Sequence, residues 1–313
     1  MALHTHTPAV PAPADYSRAG RPLVLKLDAL QPCGSFKMRG IGTAAERAVA
    51  GGAHELVCPS GGNAGFAAAH AGARLGVPTS IVVPETTLAG VRERIAGIGA
   101  KVLVFGAAWD EAHEHALELA RTRGAAYLHA FDHPDIWDGH ATLIDECCAD
   151  GWRFDAVACC VGGGGLLAGI VAGLERNGLR HVPVIAVETE GAASYAAALR
   201  AGAPVSLPAI TSIATTLGAK RVCARAVEAA REHEIVSLTV TDAQAVAACL
   251  KFADAWRLLV EPSCGATLAA LDVHADAFAR FESILVEICG GIGVSVDQLA
   301  AWRTRFFPDG DAA

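Results

Sequence analysis

The sequence predicts an α/β protein built on parallel sheets, and three observations lead there. Strand-length runs of Val, Ile, Leu and Ala are continuous rather than alternating, as in strands covered on both faces. Alanine-rich stretches of helical length separate them, giving the strand–loop–helix repetition of α/β folds with right-handed crossovers. Three runs end in glycine-bearing loops, at Cys58–Gly65, Val161–Gly165 and Glu287–Gly291. Ligands of open α/β sheets bind beyond the carboxyl ends of strands, where such loops meet helix N-termini.

In chain order the expected strands are Pro22–Leu27, Leu56–Pro59, Ser80–Val83, Val102–Phe105, Ala156–Val161, Pro183–Val187 and Ile284–Cys289. The expected helices are Asn63–Leu75, Trp109–Arg123, Gly165–Arg176 and Ala243–Leu250. Ala156–Leu174 carries no charge and is long enough to raise the question of a membrane span. Four glycines at 162–165 would be costly inside one helix, so a strand, a glycine loop and a helix account for the run better. At 313 residues the chain is expected to form two domains.

Composition narrows the function. Lys and Arg number 25 against 33 Asp and Glu, for a net charge of −8. Nucleic acid is therefore not the expected partner, because phosphate neutralisation needs clustered cations. A hydrophobic fraction of 52% excludes a disordered chain. No basic segment followed by an apolar run opens the sequence, so no secretory signal is expected. The ten cysteines include no CxxC pair and read as small buried residues of a reducing compartment, here the cytoplasm. A soluble enzyme is expected, with no membrane association.

The tetraglycine loop Gly162, Gly163, Gly164, Gly165 is suited to a phosphate. Without side chains, several N–H groups can crowd one anion, and the following helix adds the positive end of its dipole. Gly163-x-Gly165-x-x-Ala168 also fits a dinucleotide pattern, with Glu188 about 20 residues later. On this segment alone a NAD-dependent oxidoreductase stays open. It leaves unused the stretch Gln31-Pro32-Cys33-Gly34-Ser35-Phe36-Lys37-Met38-Arg39-Gly40, where a lysine between Phe and Met can be partly desolvated into a nucleophile.

That stretch resembles the lysine loop of the fold-type II (tryptophan synthase β-like) pyridoxal phosphate enzymes, specifically the serine/threonine dehydratases. Ser60-Gly61-Gly62-Asn63-Ala64-Gly65, the glycines 162–165, Glu261-Pro262-Ser263-Cys264-Gly265-Ala266 and Cys289-Gly290-Gly291 resemble further family motifs, in the family's order. The resemblance runs from about Leu3 to about Arg303. Cys289, where most relatives carry serine or threonine, makes it most similar to the short liver-type L-serine dehydratases. It implies two open twisted α/β domains with the cofactor in the cleft, the small one at 36–132 and the large one at 1–35 and 133–313. It also implies a homodimer.

The resemblance further implies that Lys37 anchors pyridoxal phosphate and is the base at Cα, and that Phe36 packs on one face of the ring. Gly162–Gly165 would hold the phosphate and Asn63 the ring hydroxyl. Ser60, Gly61, Asn63 and Ala64 would bind the substrate, and Cys289 would face the pyridine nitrogen as a weak neutral partner. Glu188, with carbonyls of Gly162, Ala192, Leu217 and Ala219, matches the family's monovalent-cation site, for K⁺ or Na⁺. The implied reaction is β-elimination of ammonia from L-serine, giving pyruvate, and from L-threonine, giving 2-oxobutyrate. Serine racemase and a threonine-preferring deaminase are the readings left open within the family. One departure is Thr216 on the ring's second face, where the animal serine dehydratases carry alanine. Gly61, at an alanine-or-glycine position, is expected to leave room around the substrate loop.

Other conspicuous residues read as structural. His113 and His115 lie roughly 200° apart on a helix and read as solvated surface, as do Asp110, Glu111, Glu114 and Glu118. His4 and His6 are too weak a pair for a metal claim. Cys147-Cys148 and Cys159-Cys160 read as buried small residues.

Overall fold

The computed structural model describes residues 2–309. In chain order its elements are β1 (Ala9–Pro11), β2 (Leu23–Lys26), α1 (Lys37–Ala50), β3 (Leu56–Cys58), α2 (Asn63–Leu75), β4 (Thr79–Val83), α3 (Ala89–Gly97), β5 (Lys101–Val104), α4 (Trp109–Arg123), β6 (Ala126–Tyr127) and α5 (Pro134–Ala149). They continue with β7 (Ala156–Cys160), α6 (Gly165–Arg176), β8 (Val184–Thr189), α7 (Ser194–Ala201), α8 (Ala224–Glu232), β9 (Ile235–Val240), α9 (Asp242–Trp256), α10 (Pro262–Val273), α11 (Ala275–Phe278), β10 (Ile284–Glu287) and α12 (Val296–Phe306). The chain divides into two compact units. One holds Gln31–His140 with the segment ending at Thr5; the other holds His6–Leu30 and the chain from Ala141 onward.

The first unit is a four-stranded parallel sheet in the order β5-β4-β3-β6. Ala112, Ala116 and Ala120 recur every four residues along α4 and are buried with Val57 and Val82. Small side chains on that stripe let the helix lie close to the sheet. On α2, a methyl at Gly72 would overlap the Thr79 hydroxyl, so glycine permits the close approach to β4.

The second unit carries a six-stranded sheet in the order β1-β2-β10-β7-β8-β9. Only the edge strand β1 runs antiparallel to its neighbour; the other pairings are parallel. β7, β8 and β10 are buried along their whole length, which is why they read as unbroken apolar runs. The lysine within β2, Lys26, is fully buried. Its amine donates to the Thr7 carbonyl and to Glu146 Oε2, both at 2.6 Å, so the charge is paired inside the unit. The uncharged run at 156–174 resolves into β7, a glycine loop and the first part of α6. Among the described residues no helix is long and apolar enough to cross a membrane.

Candidate active site

In the first unit, β3 ends at Cys58 and α2 starts at Asn63, so Pro59–Gly62 forms a loop at the carboxyl end of a central strand. Three contacts hold it. Trp109 Nε1 donates to the Pro59 carbonyl at 2.6 Å, and Gly62 N donates to Ser60 Oγ at 3.2 Å. The Ser60 carbonyl rests so close to α2 that a methyl at Gly65 would overlap it. Asn63 and Ala64, the first residues of α2, are buried. The room that glycine leaves at position 61 is bounded by Thr87: a methyl there would lie 2.9 Å from Thr87 Cγ2.

Lys37 is the first residue of α1, directly after Phe36. Its amine donates to the Ala130 carbonyl at 2.7 Å and lies 5.1 Å from the centroid of the Phe36 ring. Three titratable neighbours are uncharged at neutral pH. Burial pushes the Cys58 thiol up to about 12. Burial, and then the charges of His113, Lys37 and His133, bring His129 down to about 4. His140 is fully buried and packs on Phe36 with ring centroids 5.0 Å apart. Burial, aided by Lys37, Arg39 and His4, holds it well below the usual histidine range.

His113 is not on a solvated face. Its Nδ1 is 2.6 Å from the Tyr127 hydroxyl, and its ring stacks on Trp109 at 4.8 Å. It thus braces the tryptophan that holds Pro59. Helical spacing separates His113 from His115 but cannot show that β6 brings Tyr127 beneath only one of them.

In the second unit the glycine loop follows β7 and opens α6. Gly164 has φ +88, a left-handed conformation that favours glycine. A methyl there would lie 2.6 Å from Ala226 Cβ and 2.7 Å from Val222 Cγ2. One at Gly162 would lie 3.0 Å from Leu217 Cα. The Gly163 carbonyl accepts from Cys223 N at 3.0 Å. The loop is therefore a tightly backed, side-chain-free turn at a helix N-terminus, which fits a phosphate group. Taken singly, the Lys37 amine of the first unit and this loop of the second are groups of the kinds that pyridoxal phosphate requires, an amine for the aldehyde and N–H donors for the phosphate.

Glu188 is fully buried in β8. Its two oxygens accept from Tyr195 N at 2.7 Å and Ala196 N at 2.8 Å, in the first turn of α7. Burial outweighs these bonds and raises the carboxyl from 4.5 to about 7. Ala192 is buried just before α7, and the Leu217 carbonyl accepts from Ala219 N at 2.8 Å. Among the described residues no group of three or more His, Cys, Asp or Glu could hold a metal ion. A site made mainly of backbone carbonyls is of a different kind.

Thr216 lies in a one-turn 3-10 helix, Thr215–Leu217. Its hydroxyl donates to Glu261 Oε1 at 2.6 Å and pairs with the Ser263 hydroxyl. Glu261 Oε2 accepts from Gly293 N at 3.1 Å, so one buried carboxylate ties Thr216 to the loop after Cys289. Cys289 is 2% exposed and accepts from the Cys160 thiol at 3.7 Å. Bonds with Cys160 and Cys264, and then burial, hold its own thiol well above the usual range. It is a neutral thiol.

Residues 2–290 match the family described as pyridoxal-phosphate dependent enzyme. The chain is 47% identical over 306 residues to a serine dehydratase-like protein of Mus musculus, covering 95% of this chain and 93% of the relative. It is 47% identical over 313 residues to an L-serine dehydratase/L-threonine deaminase of Homo sapiens, covering 97% and 95%. A fungal L-serine ammonia-lyase from Rhizomucor miehei matches with a TM-score of 0.91 at 35% identity, over 98% of this chain and 100% of that one. The processed form of threonine deaminase isoform 2 from Solanum lycopersicum matches with a TM-score of 0.87 at 26% identity, over 98% and 84%.

Proposed function

We propose that this chain, which belongs to the pyridoxal-phosphate-dependent enzyme family, is a lyase that removes ammonia from L-serine and L-threonine. The observation that carries the reading is the 47% identity, over 97% of the chain, to an L-serine dehydratase/L-threonine deaminase. That Lys37 and the Ser60–Ala64 loop belong to one compact unit supports it. The cofactor, when bound, supplies an electron sink for the pair left at Cα after proton removal.

The chain's own residues do the rest. The N–H groups of Gly162–Gly165 would bind the phosphate at the start of α6, and Lys37 would anchor the cofactor and take the Cα proton. Phe36 and Thr216 would each pack against the cofactor ring, and Asn63 would bind its hydroxyl. The Ser60 hydroxyl and the loop's N–H groups, through Gly61 to Ala64, orient the substrate carboxylate. The neutral Cys289 thiol would be the partner of the pyridine nitrogen and would bring it no charge. The β-hydroxyl would leave as water, its added proton balancing the one Lys37 takes from Cα. Hydrolysis of the released unsaturated amine, which consumes one water, would give ammonia with pyruvate from serine or with 2-oxobutyrate from threonine. A keto-acid assay with L-serine, L-threonine and their D-forms tests this. Keto acid from the L-forms is expected; conversion of L- to D-serine as the main reaction would instead make the protein a racemase.

The proposal extends to a monovalent cation, K⁺ or Na⁺, at the Glu188 carboxylate and the carbonyls of Gly162, Ala192, Leu217 and Ala219. A carboxylate so buried is costly without a counter-charge. Exchanging K⁺ for tetramethylammonium at equal ionic strength is expected to lower turnover, with Glu188→Ala insensitive to the exchange. Equal turnover in both salts would remove the cation from the account. A cytoplasmic setting is part of the same reading, and a homodimer is the assembly the family resemblance implies.

A further inference from the structure

We propose that Thr87 is a specificity-determining positioning residue, backing Gly61 and setting how far the substrate loop recedes to admit a β-methyl group. The proposal rests on the reading that Ser60–Ala64 receives the substrate. A methyl at Gly61 would lie 2.9 Å from Thr87 Cγ2, 3.1 Å from Thr87 Oγ1 and 3.4 Å from Val83 Cγ1. Both branches of Thr87 therefore face the loop. Side-chain rotation cannot clear them: two branches share three staggered positions, and two of those positions face Gly61. At least one branch always stays in the way.

The backbone that presents Thr87 is held as well. Thr87 N donates to the Pro84 carbonyl at 3.0 Å, and Glu85 N donates to the Gly106 carbonyl at 2.8 Å. Val83 is buried in β4. The loop is also fixed through its own backbone, by Trp109 at Pro59 and by the close seat of the Ser60 carbonyl on Gly65. Thr87 is thus a wall of the loop whose size a single substitution changes. L-Serine and L-threonine differ by one methyl group, and a contact of that size discriminates by about 10–200-fold at most. Removing the Thr87 methyl lets the remaining branch turn into the third position, and Gly61 gains room to move back. Valine keeps both branches and removes only the hydroxyl.

The test uses the holoenzyme of the wild type, Thr87→Ser, Thr87→Val, Gly61→Ala and the two double variants, with Tm and kcat/KM for both L-substrates. Gly61→Ala is expected to lower Tm, Thr87→Ser to restore most of that loss in the double variant, and Thr87→Val to restore none. Thr87→Ser alone is expected to raise the threonine-to-serine ratio of kcat/KM by about threefold or more, and Thr87→Val to move it less. Additive Tm changes would overturn the packing argument. Coupled Tm changes with an unmoved ratio would reduce Thr87 to a structural contact and overturn the proposal alone. Absence of keto acid from every protein would instead overturn the reading on which it rests.

Discussion

Lys37→Ala is expected to lower keto-acid formation from L-serine by about 10⁴-fold or more, because one substitution removes both a positioned base and a covalent anchor. Cofactor uptake should survive, since the glycine loop at the start of α6 is untouched and its N–H groups do not depend on the lysine. Fluorescence titration of the variant with pyridoxal phosphate separates the two effects. A variant that binds no cofactor would assign Lys37 a mainly structural part. One that keeps wild-type turnover would exclude it as the base.

The second large effect is expected at Gly65, a residue that touches no reacting atom. A methyl there would overlap the Ser60 carbonyl oxygen and press on Ile81. The obstacle is backbone, not the end of a flexible side chain, so the loop itself must shift. Overpacking of this kind costs about 1–3 kcal/mol, and a displacement of about 1 Å in a positioning loop can cost on the order of 10²-fold in rate. Gly65→Ala is therefore expected to lower Tm and to lose about 10²-fold in kcat/KM for L-serine. Gly90→Ala, in α3 with nothing within 4 Å of the added methyl, is the matched control and should do neither. Equal behaviour of the two variants would show that the seat of Ser60 on α2 is not tight.

Much of the framework is legible in the sequence where local chemistry decides it. The bounds expected for α2, α4 and α6 are those observed, because glycines stop two of these helices. Gly76 and Gly124 take left-handed conformations at φ +68 and +64, the ordinary C-terminal stop. Less local elements escaped. β9 reads Ile235-Val236-Ser237-Leu238-Thr239-Val240 and is half-exposed, so it lacks the continuous apolar run that marks β7 and β8. β1 has three residues and β6 two; only their pairing with β2 and β3 makes them strands. The run to Cys289 stops as a strand at Glu287, because Gly290 and Gly291 bend the chain.

The candidate site divides in the same way. Lys37, Ser60, Asn63, the glycines 162–165 and Cys289 stand in compact motifs readable one at a time. What braces them does not. Thr216 and Glu261 are 45 residues apart, Trp109 and Pro59 are 50 apart, and Thr87 reaches Gly61 only because β4 runs beside β3. No spacing rule brings such pairs together; the parallel sheet does. Glycine at position 61 shows only that a side chain is missing there; which neighbour lies against it, here Thr87, is decided by the sheet.

The central claim is that Lys37 is the amine that carries the cofactor. Borohydride reduction of the holoenzyme, followed by peptide mass mapping, tests it most directly, because reduction fixes the cofactor to the amine that holds it. The account predicts a single labelled peptide, modified at Lys37. A label at Lys101, Lys220 or Lys251 would contradict it.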